Sequence, residues 1–223
     1  MLETASSRFW IDAGSGTLAQ LHRHRTLPDL DAIFITHLHA DHWTDLPLAI
    51  HTLSFLYTEV EPLPVFGPSG FVEACGVTLR WNLAEERPVF EPRVLHEGLH
   101  ERVAGADVEA IRVEHGDMET YGLRVTAEGK TFAYSADSRP CEALLRLARD
   151  ADLFLCEAGT MEESSPMHTN PEQASALAVE AGARRLALTH LRPGDEPERA
   201  EELARSTFDG ELCVARVGLE IDV

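Results

Sequence analysis

The segment Thr36-His37-Leu38-His39-Ala40-Asp41-His42-Trp43 holds three imidazoles and a carboxylate within six residues. Neutral imidazole and carboxylate are donors that zinc and its first-row neighbours take readily. In extended chain His37 and His39 point to one side. Asp41 and His42 follow where the chain turns into a helix, and can face a second point nearby. One tetrahedral zinc does not easily take all four from so short a loop, whereas two adjacent metals can share them with ligands from elsewhere. Eleven histidines in 223 residues make isolated pairs ordinary. Four candidate ligands at a strand end are a much stronger signal for metal.

The elements that must hold this loop are legible on either side of it. Ala32–Thr36 is an apolar, β-branched run too short for a helix and reads as a buried strand. Asp45–Tyr57 has helical periodicity through Leu46, Ile50, Leu53 and Leu56, ended by Pro62 and Pro64. Upstream, Arg8–Asp12 reads as a strand running into Gly14-Ser-Gly16, then a helix over Thr17–Arg25. Downstream, Val65-Phe66 leads through Gly67-Pro-Ser-Gly70 to a helix over Phe71–Trp81, and 87–105 reads as irregular and proline-bearing. Strands are expected at Val108–Glu114, Tyr121–Thr126 and Thr131–Ser135, the last two a hairpin turning at Glu128-Gly129-Lys130. The closing third alternates: helix 140–149, strand 152–157, helix 171–181, strand 185–190, helix 197–206, strand 211–217. With no repeats, low-complexity tracts or Gly/Ser linkers, residues 1–223 read as a single α/β (α+β) domain, its sheets covered by helices on their outer faces.

Composition narrows the partners. Lys+Arg is 19 against 38 Asp+Glu, a formal net charge of −19 with one lysine, Lys130. Long nucleic acid and anionic membrane both need a basic footprint that this balance lacks. A small anion held by a metal or a local cation remains compatible. Cys75, Cys141, Cys156 and Cys213 form no C-x-x-C pair; Cys156 and Cys213 fall in apolar strand-like runs and read as buried free thiols of a reducing compartment. No apolar leader or membrane-length run occurs, so a cytoplasmic location is expected.

The pattern H-x-H-x-D-H after a buried strand resembles the signature of the metallo-β-lactamase superfamily. That resemblance runs along nearly the whole chain and implies a four-layer αββα sandwich with a dinuclear site at one edge. His115, in Val113-Glu114-His115, resembles the superfamily's third-motif histidine. Asp137, in Tyr134-Ser135-Ala136-Asp137-Ser138, resembles its bridging aspartate, usually seen in Y-S-G-D-T. His190, in Leu186-Ala187-Leu188-Thr189-His190, resembles its final histidine ligand. The resemblance implies one metal on His37, His39 and His115, a second on Asp41, His42 and His190, and Asp137 between them. Two divalent ions are therefore expected, zinc by the excess of imidazoles, with manganese and iron as the other candidates. Relatives usually open with an extra strand and a glycine turn before the equivalent of Leu2–Thr4, so the expected fold lacks the first N-terminal strand.

The ribonuclease Z-like branch is the most similar. Glu157, in Leu155-Cys156-Glu157-Ala158-Gly159, resembles its H-E-A-T glutamate, and His168, in His168-Thr169-Asn170-Pro171, its H-S-T histidine. In that branch the histidine lies close to the scissile phosphate and the glutamate orients it, a sensible proton donor for an alkoxide leaving group. Asp41 would orient the nucleophile as well as ligate. The chain departs from the tRNA-processing members in having neither their P-x-K-x-R-N loop nor a lysine-bearing arm. The expected activity is thus hydrolysis of a small phosphodiester, such as a cyclic nucleotide or a short RNA end. The alternatives are a lactone, thioester or β-lactam hydrolase on the same scaffold, ribonuclease Z-type RNA 3′ processing, and a non-catalytic metal-binding protein. A small anionic substrate is expected, with no long nucleic acid and no membrane; a homodimer is an open arrangement.

Other signals weigh less. Leu95-His96-Glu97-Gly98-Leu99-His100 contains H-E-x-x-H, but Gly98 inside the required helix and Pro88 and Pro92 before it favour a loop or edge strand. His96 or His100 can still line a substrate entrance. Gly14-Ser-Gly16 and Gly67-Pro-Ser-Gly70 are better turns than phosphate loops. No G-x-S-x-G occurs. Arg139 is a candidate for meeting an anionic substrate.

Overall fold

Short apolar strands alternate with helices through the computed structural model, which describes residues 1–57, 61–79 and 89–223. The chain divides into two compact units, Met1–Leu95 with Arg102–Ala106, and His96–Glu101 with Asp107–Val223.

In the first unit the elements are β1 (Leu2–Glu3), β2 (Arg8–Ile11), α1 (Thr17–Leu21), β3 (Ala32–Phe34), α2 (Ala40–Trp43), α3 (Leu46–Leu56), β4 (Leu63–Gly67), α4 (Phe71–Leu79) and β5 (Phe90–Val94). The strands pair in the order β1-β2-β3-β4-β5, antiparallel at β1–β2 and parallel thereafter. Every residue of β3 is buried, as its continuous apolar run requires of a central parallel strand. Ile33 and Val65 join a core with Trp10, Leu46, Ile50 and Leu53. Phe34 stacks on Phe66 with centroids 4.6 Å apart and meets Phe9 edge-on. α3 lies between Asp45 and Tyr57 as its periodicity predicts. α1 ends at Leu21, short of the expected Arg25; the polar run His22-Arg-His-Arg25 has nothing to bury and continues only as hydrogen-bonded turns onto Leu21. α4 reaches Leu79, and the expected end at Trp81 lies outside the described residues.

Apart from Arg102–Ala106, which count with the first unit, the second unit carries β6 (Leu99–Val103), β7 (Ala106–Arg112), β8 (Tyr121–Ala127), β9 (Lys130–Tyr134), α5 (Glu142–Ala148), β10 (Leu153–Glu157), α6 (Pro171–Ala181), β11 (Arg185–Thr189), α7 (Pro197–Arg205) and β12 (Glu211–Val214). The sheet order is β12-β11-β10-β9-β8-β7-β6. β7–β8 and β8–β9 are antiparallel, while β9 to β12 run parallel. The β8–β9 turn has Glu128 and Gly129 both at positive φ, the geometry that suits a two-residue hairpin. α6 matches its expected span because its ends are encoded locally: Asn170 and Gln173 form a capping box, Pro171 opens the first turn, and Gly182 closes the helix in the left-handed region.

The expectation of irregular chain over 87–105 is corrected by β5 and β6. β5 is the last strand of its sheet, where Pro92 removes no interior hydrogen bond, and β6 is likewise an edge. β6 alternates in burial but carries three consecutive polar residues, His100-Glu101-Arg102, and β5 is interrupted by Pro92, so neither reads as a strand in the sequence. H-E-x-x-H accordingly lies on a turn entering β6, with Gly98 at φ +78°. All four cysteines are free thiols; Cys75 and Cys156 are buried, whereas Cys213 is only half-buried, less than expected. Burial pushes the Cys75 thiol up to about 12 and Cys156 well above its ordinary value, which disqualifies both as nucleophiles at neutral pH. No helix among the described residues is long and apolar enough to cross a membrane.

Candidate metal centre

In the first unit the chain leaves β3 at Phe34 and, past Thr36, delivers His37, His39 and then, through α2, Asp41 and His42. His37 is fully buried, and its Nε2 lies 3.2 Å from His39 Nδ1. The His37 and His42 ring centroids are 4.1 Å apart. A residue the sequence reading passed over organises these rings. Asp12, just beyond β2, accepts the Thr36 amide on Oδ1 (2.8 Å) and the Thr36 hydroxyl on Oδ2 (3.0 Å), and His42 Nδ1 lies 2.8 Å from the same Oδ2. With its hydroxyl proton on Asp12, the Thr36 oxygen accepts from His37 Nδ1 at 3.1 Å. Both imidazoles therefore carry their proton on Nδ1 and present Nε2 as the lone-pair nitrogen, the arrangement by which a carboxylate orients a ligating histidine. The available signal was a carboxylate at the end of a strand beside the histidine-bearing one. Gly14 is required here, since a Cβ at that position would fall on the Asp41 carbonyl oxygen. The Asp41 side chain is two-thirds exposed.

In the second unit the register of β9, β10 and β11 sets Tyr134 beside Leu155 and Glu157 beside Thr189. The residues that follow, Asp137, Gly159 and His190, thus leave the sheet at one edge, the carboxyl ends of parallel strands. His115, 1% exposed, donates from Nδ1 to the Met167 carbonyl at 2.9 Å, so its Nε2 is the lone-pair nitrogen. Asp137, 2% exposed, has Oδ2 3.8 Å from His115 Nε2 and 3.3 Å from His190 Nε2. It does not cap a helix: α5 opens at Glu142 with Cys141 as the flanking residue. Asp137, His168 and His190 each bring a ligand atom within 4.8 Å of the others. The His168 ring lies 5.5 Å from that of His190 and 5.0 Å from that of His115.

Glu157 ties this group together. Its carboxylate is fully buried and accepts the Ser138 amide (2.8 Å), the Gly159 amide (2.7 Å) and His168 Nδ1 (3.1 Å). A buried carboxylate needs such donors to remain charged. Its hydrogen bond raises the His168 pKa above the ordinary value, against the opposing effect of burial. Gly159 is the cradle: an added Cβ would come within 2.8 Å of His190 Nδ1 and 2.9 Å of Glu157 Oε2 and His168 Nδ1. Asp12, Ala136 and His190 all adopt positive φ (55°, 53° and 63°), strained for residues with a side chain. At Ala136 the resembling motif carries glycine.

Each expected ligand therefore sits where a strand ends, His37, His39, Asp41 and His42 in one unit and His115, Asp137 and His190 in the other. Arg139 is committed to an ion pair with Glu114. His96 and His100 are exposed near the β6 edge and are not among the side chains gathered about Asp137.

The family model described as the β-lactamase superfamily domain matches residues 7–191. The chain belongs to the metallo-β-lactamase superfamily. Within it the chain falls in the ribonuclease Z-like branch. It is 32% identical over 275 residues to a ribonuclease Z of Methanosarcina mazei, covering 95% of this chain and 87% of that protein. The metallo-β-lactamase-fold protein YhfI of Bacillus subtilis superposes with a TM-score of 0.85 at 22% identity, over 97% of this chain and 88% of that one. A diphosphatase of the PhnP family superposes with a TM-score of 0.76 at 20% identity, over 99% and 82%. The fold is that of the metallo-β-lactamases, in the α/β class. The superfamily implies divalent metal, and the donors fit it: imidazoles whose Nδ1 protons are held by Asp12, Thr36 and Met167, with a buried carboxylate at Asp137.

Proposed function

We propose that this metallo-β-lactamase-fold hydrolase is a dinuclear phosphodiesterase acting on a small phosphodiester, such as a cyclic nucleotide or a short RNA end. The observation that carries this reading is the Glu157–His168 pair beside Asp137 and His190. Carbonyl and phosphoryl oxygens are polarised alike by metal, so the scaffold does not choose a substrate. A proton donor aligned beside the metal ligands suits a diester, whose departing alkoxide takes up a proton, and disfavours a thioester, whose thiolate leaves unaided.

His37, His39 and His115 would hold one cation, Asp41, His42 and His190 a second, with Asp137 shared. Two divalent cations, zinc by this donor set, would supply Lewis acidity and lower the pKa of a water towards ~7. Asp41, the exposed carboxylate of the set, orients the attacking water. Glu157 fixes His168 with Nδ1 towards itself, so Nε2 is the atom that gives its proton to the leaving oxygen. The raised pKa keeps that proton in place nearer neutrality. The net charge of −19 favours a small substrate over a long polyanion. The resemblance to a ribonuclease Z and to a diphosphatase supports phosphoester chemistry, and RNA 3′ processing is the second reading.

The test is metal analysis coupled to turnover of bis(p-nitrophenyl) phosphate, cyclic nucleotides, a short RNA, a lactone and a thioester. The expected result is two metals per chain and hydrolysis of diesters. Turnover of the lactone or thioester without the diesters overturns the reading. Asp137→Ala should lose metal and activity together; two retained metals with full activity would refute the ligand assignment.

A further inference from the structure

The second unit holds a cavity of about 250 Å³ lined by Glu109, Ile111, Arg124, Arg146 and Arg149. The strand register and the end of α5 build it. Across β7 and β8, Glu109 stands opposite Arg124 and Ile111 opposite Gly122. An added Cβ at Gly122 would come within 2.8 Å of the Leu147 side chain, so the glycine lets the end of α5 close down on these strands. Arg124, half-buried, then donates to the Leu147 carbonyl at 2.7 Å. Arg146 is held by Glu97, which its guanidinium meets at 2.9 Å, and the same Glu97 accepts the Arg112 amide at 2.6 Å. Arg149 follows the last turn of α5, and its guanidinium makes no hydrogen bond or ion pair among the described residues.

Three arginines thus line one cavity in a chain whose Asp+Glu outnumber Lys+Arg by 38 to 19. Glu109 is the one carboxylate among the lining residues, and it forms no ion pair among the described residues. Like charges gathered this closely repel one another. Closing the end of α5 accounts for Arg124 alone, since neither Arg146 nor Arg149 gives a side-chain bond to a helix carbonyl among the described residues. An anion between them would offset the repulsion. Forked guanidinium donors match the oxygens of a phosphoryl group, and the buried Ile111 makes part of the wall apolar, which strengthens such a contact. The cavity falls below the roughly 300 Å³ at which pockets begin to take drug-sized ligands, so it suits a single phosphoryl group rather than a whole nucleotide. None of its lining residues is among the side chains gathered about Asp137.

We propose that this cavity is an anion site separate from the metal centre, taking the phosphoryl group of a small molecule between Arg124, Arg146 and Arg149. The proposal does not depend on the phosphodiesterase reading. The test is calorimetric titration of inorganic phosphate into metal-loaded protein at physiological salt, in wild type and in Arg149→Gln. Phosphate held by the metals contributes equally to both proteins, so the difference between them reports the cavity. One binding phase should weaken at least about tenfold in Arg149→Gln, with Arg149→Lys recovering part of the loss. Metal content and thermal midpoint should match the wild type, because the Arg149 guanidinium holds no hydrogen bond or ion pair of the fold among the described residues. Arg124→Gln should weaken the same phase; it also frees the Leu147 carbonyl, so Arg149→Gln is the deciding variant. Identical isotherms for wild type and Arg149→Gln overturn the proposal. Succinate titrated in the same way gives the second arm: binding of succinate that depends on Arg149, without such dependence for phosphate, overturns the phosphoryl assignment.

Discussion

Asp12 Oδ2 lies 2.8 Å from His42 Nδ1, across 30 residues of sequence, while its other contacts hold Thr36 immediately before His37. One carboxylate thus sets the tautomer of two candidate ligands. Asp12→Asn replaces an acceptor-only group with one that can donate, so His42 loses its fixed orientation. Metal affinity should drop about 10- to 100-fold in a chelator competition titration, with the circular dichroism spectrum preserved. Wild-type affinity in the variant would remove Asp12 from the centre.

Gly159 leaves space that three side chains use. Gly159→Ala puts a methyl within 2.9 Å of Glu157, His168 and His190 atoms, and Glu157 and His168 cannot move aside without breaking the hydrogen bonds to Glu157. We expect activity to fall by at least about tenfold while the thermal midpoint drops by only a few degrees, an overpacking cost of about 1–3 kcal/mol. A fully active variant would show that the cradle is not needed.

His168→Ala should leave metal content intact and slow turnover in a way that depends on the leaving group. A p-nitrophenolate departs without help, whereas a ribose alkoxide needs the proton. The rate loss should therefore be about 100-fold or more on a cyclic nucleotide or short RNA and much smaller on bis(p-nitrophenyl) phosphate. Equal losses on both substrates would mean that His168 binds rather than protonates.

Asp152 accepts the Thr131 amide at 2.9 Å and pairs with Arg184 at 2.8 Å and Lys130 at 3.4 Å, joining the starts of β9, β10 and β11. The Thr131 hydrogen bond, with smaller help from the two cations, holds its pKa below the ordinary carboxylate value. A depressed folded-state pKa stabilises the protein above the unfolded value of about 3.9, and that stability is lost as pH falls towards the folded one. Asp152→Asn should thus cost about 1 kcal/mol at pH 7 in urea denaturation, and the difference from wild type should shrink below about pH 4. A gap of constant size at both pH values would rule out the charge as its source.

The local patterns went far. His37, His39, Asp41 and His42 were identifiable because a buried strand must end before them and a helix must begin after them. His115, Asp137, Glu157, His168 and His190 were found through short motifs at strand ends. The family match and the fold bear out the superfamily and its α/β class. β6 escaped because an edge strand tolerates the polar run His100-Glu101-Arg102, and β5 because Pro92 reads as a breaker until its place in the sheet is known.

The sequence by itself determined which donors exist and on which strand ends they stand, because strand length, helix caps and turn residues act over a few positions. Tertiary structure decided the chemistry of those donors. The acceptor that orients His42 is 30 residues away and the one that orients His115 is 52 away. Glu157 becomes a buried hub only once β9, parallel to β10, brings the Ser138 amide to it and the loop after β10 folds back to add Gly159 and His168. A proton's position on an imidazole depends on which oxygen faces it, and that is a property of packing with no local trace in the chain.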